Sequence, residues 1–206
     1  MPTRRARKPR TRSEQREATR ERIVAAALEA FAEKGFHGAS TRDIAGRAGT
    51  NQGLITYHFR SKDELWRAAA DRIIGMLSKR ATEQLSSLAS EDPRERAREA
   101  IRIYVRFAAA HPELFRLMVD EGKNSERRMK WLVDTHLKPH YDQFMALTRI
   151  GAFDEAMLPH VYYVMAGAGS LIFAVAPECR RLTGLDPETE QALEAHAEFV
   201  ARLLVP

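Results

Sequence analysis

Apolar positions recur every three or four residues along most of this chain, the period of amphipathic helices, and no stretch alternates as a strand does. Ile23, Ala27 and Phe31 follow at i, i+4 and i+8 with Val24 and Leu28 beside them, which predicts a first helix ending at Lys34. Ser13 is its expected N-cap, Glu14 and Glu17 suit the positive end of its dipole, and Gly35 is its expected stop. Ile44, Ala45 and Ala48 then form a short apolar face in a helix opening at Ser40 or Thr41. Gly49 interrupts it, and Leu54, Ile55 and Phe59 begin another. Two helices of about two turns each, joined by a turn containing glycine, make a helix-turn-helix. Gly49 suits that turn because it can take positive φ without a Cβ clash.

The pattern continues to the C-terminus. Ser61 with Glu64 reads as a capping box opening a long helix with Leu65, Trp66, Ala69, Ile73 and Leu77 in register, which ends before Ser86. Asp92-Pro93 and His111-Pro112 read as starts of two further helices, the first striped by Ala97, Ile101, Tyr104, Val105 and Ala108. Residues 121–125 read as a loop. From about Ser125 runs a helix that Pro139 should kink, because an interior proline removes a backbone bond, and Gly151 is its expected end. Pro159 opens a helix to about Val175, where Pro177 stops it; Glu178 to Arg181 is expected to be an exposed connection. Asp186-Pro187 is a third cap-and-proline pair, starting the last helix. The fold class is all-α, with about nine helices.

Charge sharpens this picture. The chain of 206 residues carries +5 formally, but residues 1–62 hold 14 Lys/Arg against 6 Asp/Glu while the remainder is slightly acidic. A basic end on an acidic body is the footprint of a polyanion partner. Residues 1–12 hold six of those cations and no large aliphatic residue, and are expected to be a disordered arm with a general electrostatic role. One cysteine, Cys179, allows no internal disulfide and fits a reducing cytoplasm. No run is expected to reach the roughly 18 apolar residues of a membrane span, and the basic N-terminus lacks a signal peptide's apolar region.

In the second helix of the pair, Asn51, Gln52, Thr56, Tyr57 and His58 lie between the apolar positions; such groups donate to phosphates or read base edges in a major groove. Four pieces stand in order: AFAEKGF at residues 30–36, STRDIAGRAG at 40–49, NQGLITYHF at 51–59 and SKDEL at 61–65. Together they resemble the DNA-binding domain of the TetR family of bacterial transcriptional regulators, over about Arg20 to Ile74. The resemblance implies a basic arm (1–12), a helix-turn-helix DNA-binding domain (13–75) and a helical effector-binding and dimerisation domain (76–206). It implies that Thr41 and Arg42 contact phosphate and base, and that Thr50, Asn51, Gln52 and Gly53 stand where base edges are read. Gln52 suits adenine, while Gly53 admits close backbone approach. Tyr57, His58 and Lys62 match the phosphate clamp. Thr56 departs from the pattern, where an aromatic residue is common, so a shorter phosphate reach is expected there.

A kinked helix inside a bundle leaves room for a ligand, and Trp131, His136, His140 and Tyr141, with Tyr104 and Phe107, are the candidates to line it. His136 and His140 have the spacing of a metal pair, but no third acidic ligand is evident and Pro139 distorts their register, so no metal is expected. Gly167 and Gly169 thin one helix face for close packing, including packing across a two-fold axis. The resemblance implies that the last two helices pair with their copies in a homodimer, with Met165, Ala168, Leu171, Ile172, Phe199, Val200 and Leu203 as candidate contacts. The expected partners are palindromic double-stranded DNA, a second copy and a small-molecule effector, with no membrane, cofactor or catalytic role. The expected location is the bacterial cytoplasm, on the nucleoid when bound. A constitutive DNA binder or architectural protein without an effector is the alternative. An enzyme is disfavoured: residues 167–171 lack the G-x-S-x-G elbow, and no cofactor fingerprint or acid/base pair stands out.

Overall fold

The structure, a computed structural model, describes residues 11–123, 127–148 and 154–206. Most of the expected basic arm (residues 1–10), Asn124 and Ser125 of the expected loop, and the expected stop Gly151 lie outside them. Among the described residues every regular element is helical: α1 (Arg12–Gly38), α2 (Thr41–Arg47), α3 (Gln52–His58), α4 (Lys62–Ser87), α5 (Pro93–Ala110), α6 (Pro112–Gly122), α7 (Arg127–Leu132), α8 (Lys138–Thr148), α9 (Leu158–Ala174), α10 (Ala176–Thr183) and α11 (Glu190–Leu204). The chain divides into two compact units, one ending at Ala69 and one running Ala70–Pro206.

In the first unit, α1 starts two residues earlier than Ser13 suggests. Thr11 is the N-cap: its hydroxyl accepts from the Glu14 amide (3.2 Å) while the Glu14 carboxylate accepts from the Thr11 amide (2.7 Å), a complete capping box. Gly35, at φ 68°, breaks the helical path as expected, and Phe36 turns back to stack on Phe31 with centroids 5.9 Å apart. At the end of α2, Gly49 takes φ 60°. The Gly49 amide bonds the Gly46 carbonyl and the Thr50 amide bonds the Ala45 carbonyl, the paired bonds of a Schellman motif that aim the chain into α3. Ile23, Phe31, Ile44, Ile55, Phe59, Leu65 and Trp66 are buried. Lys34 pairs with Asp43 (2.9 Å), and Arg47 with Glu33 and Asp43, tying α1 to α2.

In the second unit, α5, α9 and α11 share a core of Ala97, Ile101, Val105, Met165, Phe173, Val200 and Leu204. Arg102 bridges Glu95, Glu99 and Glu198, and Arg106 bridges Glu99 and Glu194, so a charge network links α5 to α11 along the rim of that core. Pro139 does not bend a straight helix. Between α7 and α8 the residues Val133–Leu137 form a π turn, in which the Lys138 amide reaches back five residues to the Val133 carbonyl. This wider turn accommodates a chain that lacks one amide donor at Pro139.

Four expectations need correction. Pro177 does not lead into an exposed connection: it sits in the first turn of α10, which Gly184 closes at φ 76°, and Cys179 is buried within it. Asp186-Pro187 does not start the last helix. Asp186 accepts from the Glu188 amide and from Arg180 in a turn, and Thr189 caps α11 instead. The Ser61–Glu64 box is shifted: Ser61 accepts from the Glu64 amide, but the Glu64 carboxylate reaches the Arg60 amide. Finally, Glu155–Ala174 is long and apolar enough to cross a membrane, with mean hydropathy 1.3. In this fold its Leu158, Val161, Met165 and Phe173 belong to the core.

Candidate nucleic-acid interface and ligand cavity

The α2–α3 pair presents most of its polar residues to solvent. Asn51 is the N-cap of α3, its Oδ1 accepting from the Leu54 amide at 3.0 Å, so this side chain closes the helix end. Gly53 protects the cap: a Cβ there would lie 3.2 Å from Asn51 Oδ1. The Gln52 amide Nε2 donates to Thr41 Oγ1 at 3.0 Å, joining the first residues of α3 and α2. Thr56 is exposed, and its hydroxyl back-bonds to the Gln52 carbonyl. Tyr57 is 65% exposed, and Arg42 is exposed beside Thr41. Thr50 is half-buried at the turn.

Two members of the expected phosphate clamp stand differently from the rest. Lys62 Nζ donates to the His37 carbonyl (3.4 Å) and lies over the Phe36 ring (4.8 Å), so it fastens the last turn of α1. His58 is half-buried edge-on to Tyr57. Burial, and then the nearby Arg16 and Arg20, hold its imidazole below the ordinary histidine range.

Sequence reasoning missed the first turns of α1. Arg12, Gln15, Arg16 and Thr19 line a groove with Leu54, Tyr57 and His58 of α3, and the Arg16 guanidinium lies 5.6 Å from the Tyr57 ring centroid. The signal was present in the i, i+4, i+8 spacing of Arg12, Arg16 and Arg20, which puts three cations on one helical face.

The second unit contains a cavity of about 530 Å³, walled by α4, α5, α6, α7, the π turn, α8 and α9. Of the six residues expected to line it, Tyr104, His140 and Tyr141 do so. Phe107 does not: it is fully buried, its ring 4.5 Å from His111 where α5 hands over to α6. Trp131 and His136 do not either; their rings meet edge-on at 5.3 Å, and His136 Nε2 contacts Asp71 at 2.7 Å. Met129, Val133, Leu137, Tyr141 and Phe144 line the cavity at steps of three or four residues; Trp131 lies off that face, and Asp71 holds His136 away from it. His140 uses Nδ1 on the His136 carbonyl (2.7 Å) and Nε2 on Ser78 Oγ (2.6 Å), so neither histidine is arranged toward a shared metal. The wall that sequence reasoning did not identify comes from Phe115, Met118, Phe144 and Tyr162, whose spacing is that of ordinary core positions.

The expected self-association set divides as well. Met165 and Val200 are 7% and 0% exposed and belong to the chain's own core. The packing of α9 and α11 within the chain covers both. Leu171, Phe199 and Leu203 are 53%, 62% and 57% exposed, and Ala168 and Ile172 are half-buried beside them. Gly169 serves packing within the chain: a Cβ there would lie 3.0 Å from the Tyr104 ring, whereas Gly167 has open space.

A short Gly-turned helix pair, capped at both N-termini and buttressed by a longer helix, defines a helix-turn-helix domain. Residues 23–69 match the family described as bacterial regulatory proteins, tetR family. The chain is 37% identical over 79 residues to the HTH-type transcriptional regulator BetI of Yersinia pestis, covering 38% of this chain and 40% of that one. It is 28% identical over 116 residues to the HTH-type transcriptional repressor NicS of Pseudomonas putida, covering 56% and 54%. The chain thus spans about half or less of the length of these curated relatives. In fold it is similar to a TetR-like transcriptional regulator from Rhodococcus sp. RHA1, with TM-score 0.67, 20% identity and 95% and 96% of the two chains covered. Residues 23–69 thus match a TetR-family helix-turn-helix domain in sequence, and the whole chain is similar in fold to a TetR-like protein.

Proposed function

We propose that the protein is a homodimeric, sequence-specific DNA-binding repressor of transcription in the bacterial cytoplasm, released from its operator by a small molecule held in the second unit. The observation that carries the DNA-binding reading is the exposed polar row on α2 and α3, Arg42, Thr41–Gln52, Thr56 and Tyr57, in a domain that matches the TetR family. Two-fold pairing follows from the uncovered apolar residues Leu171, Phe199 and Leu203, which a second copy would bury. A dimer reads half-sites about 34–36 Å apart, so the operator is an inverted repeat.

The effector reading rests on the cavity. Ile74, Leu77, Ala81 and Leu85 of α4 form part of its wall, and the same helix begins at Lys62 in the DNA-binding unit. A ligand that favours one position of α4 alters the separation of the two recognition helices. By linkage it binds the DNA-free form more tightly, by the factor that operator affinity falls. The relative from Pseudomonas putida is described as a repressor, and one from Mycolicibacterium smegmatis as an activator, so the sign of regulation rests on the operator experiment.

Selection of bound duplexes from a random pool tests the reading, with Gln52→Ala and Tyr57→Ala beside the unaltered protein. An inverted repeat is expected, relaxed at one position by Gln52→Ala and weakened uniformly by Tyr57→Ala. No enriched motif, with binding that only fades in salt, would leave a generic polyanion grip in place of a specific regulator.

A further inference from the structure

The ligand cavity has a chemical signature of its own. Among the described residues no Asp or Glu lines it, and its two basic residues are already engaged. Lys138 pairs with Asp142 at the protein surface and lies 5.6 Å from the Tyr141 ring centroid, while His140 spends both ring nitrogens on Ser78 and the His136 carbonyl. Tyr104 has its hydroxyl on Ser170 Oγ at 2.7 Å. A charged ligand would lose its hydration here without gaining an uncommitted counter-charge, a cost that apolar contacts do not recover.

One wall is different. Tyr162 packs edge-on against Tyr141 (5.2 Å) and Phe144 (5.6 Å), which makes an aromatic surface. Among the described residues, the hydroxyls of Tyr141 and Tyr162 have no hydrogen-bond partner. Both are therefore donors in reserve, next to rings that prefer a flat apolar neighbour. Burial raises the Tyr162 phenol above its ordinary range, which keeps it protonated and donating.

We infer that the cavity takes an uncharged, largely aromatic molecule bearing a hydrogen-bond acceptor such as a ketone, ester or ether oxygen, read by the Tyr162 and Tyr141 hydroxyls. This rests on the effector reading above and narrows it to one ligand class. It makes those two tyrosines the specificity-determining residues of the aromatic wall, with Gln143 and Tyr163 as the further uncharged polar groups of the lining and Ile74, Leu77, Met118 and Phe115 supplying apolar contact only.

A matched set of probes built on naphthalene tests it, through displacement of the fluorescent dye N-phenyl-1-naphthylamine from the full chain. The set is 2-acetylnaphthalene (neutral, with an acceptor), 2-ethylnaphthalene (neutral, without one), 2-naphthoate (anionic) and naphthylmethyl-trimethylammonium (cationic). The acetyl compound is expected to bind at least tenfold more tightly than either ion and about fivefold more tightly than the ethyl compound, one hydrogen bond's difference. Tyr162→Phe, with Tyr141→Phe as the second variant, keeps the ring and is expected to remove the acetyl-over-ethyl preference while leaving ethylnaphthalene affinity in place. Tighter binding of naphthoate, through Lys138 or His140, would overturn the inference and leave the effector site standing, as would tighter binding of the ammonium on the aromatic wall. If the dye and every probe fail to bind, the effector reading itself falls.

Discussion

Thr41 is expected to set the base preference of Gln52 without touching a base. Gln52 Nε2 donates to Thr41 Oγ1 at 3.0 Å. A glutamine amide has two N–H groups: the one on the side of Oε1 forms, with that oxygen, the fork that reads adenine, and the other points away. Thr41 accepts from one of these N–H groups, and when that is the outer one the fork is held outward before DNA arrives. Thr41→Val keeps the shape and removes the acceptor. The bond is exposed, so its own worth is at the low end of about 0.5–1.5 kcal/mol. Freezing a side chain of this length at an interface costs about 0.5–1.5 kcal/mol more. A combined loss of about 1 kcal/mol corresponds to roughly fivefold in discrimination, against about 1–3 kcal/mol for deleting the whole contact in Gln52→Ala. The assay is fluorescence anisotropy on two duplexes, the selected operator and one with the adenine pair replaced, read as the ratio of dissociation constants. Thr41→Val should lower that ratio about fivefold, while Thr41→Ser retains it. An equal loss on both duplexes would show Thr41 to be only a phosphate donor, and the positioning argument would be wrong.

Three other outcomes follow from the same structure. His58 is held below its ordinary value, so the stability it contributes is present above about pH 6.5 and lost as pH falls. A bound phosphate favours the imidazolium, so operator affinity should rise between pH 7.5 and 6 and His58→Gln should flatten that rise; an unchanged slope in the variant would exclude His58 as its source. Phe199→Glu places a charge on the exposed face of α11 and should convert dimer to monomer in sedimentation velocity, with weaker operator binding, whereas a persistent dimer would move the interface elsewhere. Tyr104→Phe removes the buried bond to Ser170 at a cost of about 1–2 kcal/mol in urea unfolding, eased because Ser170 can turn to the Ala166 carbonyl of its own helix. Burial pushes the Tyr104 phenol to about 12, so the unaltered protein loses stability as pH rises from about 10 through 12, and the variant should lose less, the raised Tyr162 phenol supplying the remainder.

The helix-turn-helix was legible in the sequence because its determinants are local. Gly35 and Gly49 stand where the backbone needs positive φ, and Ser40 and Asn51 stand one residue before their helices. The periodic apolar stripes of α4, α5 and α9 were equally readable, since a helix face is a property of neighbouring residues. Start signals were less secure: Asp92-Pro93 opens α5, but Asp186-Pro187 makes a turn, because the Asp186 carboxylate is drawn to Arg180 of α10. The same two-residue signal has two outcomes, and a side chain from a neighbouring element decides between them.

The cavity and the surfaces needed the tertiary structure. Met129, Val133, Leu137, Tyr141 and Phe144 share one helical face that lines the cavity, with Trp131 off that face, whereas His136 is drawn away by Asp71, a residue distant in the chain. Met165 and Leu171 have the same apolar character and lie on the same helix, yet one is core and the other exposed, because α9 has more apolar faces than its own chain covers. The sequence by itself determined most of the helices, the caps at Ser40 and Asn51 and the polar row on α3, all governed by interactions within a few residues. Only the tertiary structure decided which apolar residues enclose the cavity, which remain uncovered, and that Thr41 rather than solvent holds Gln52, since each depends on the meeting of residues far apart along the chain or on different helices.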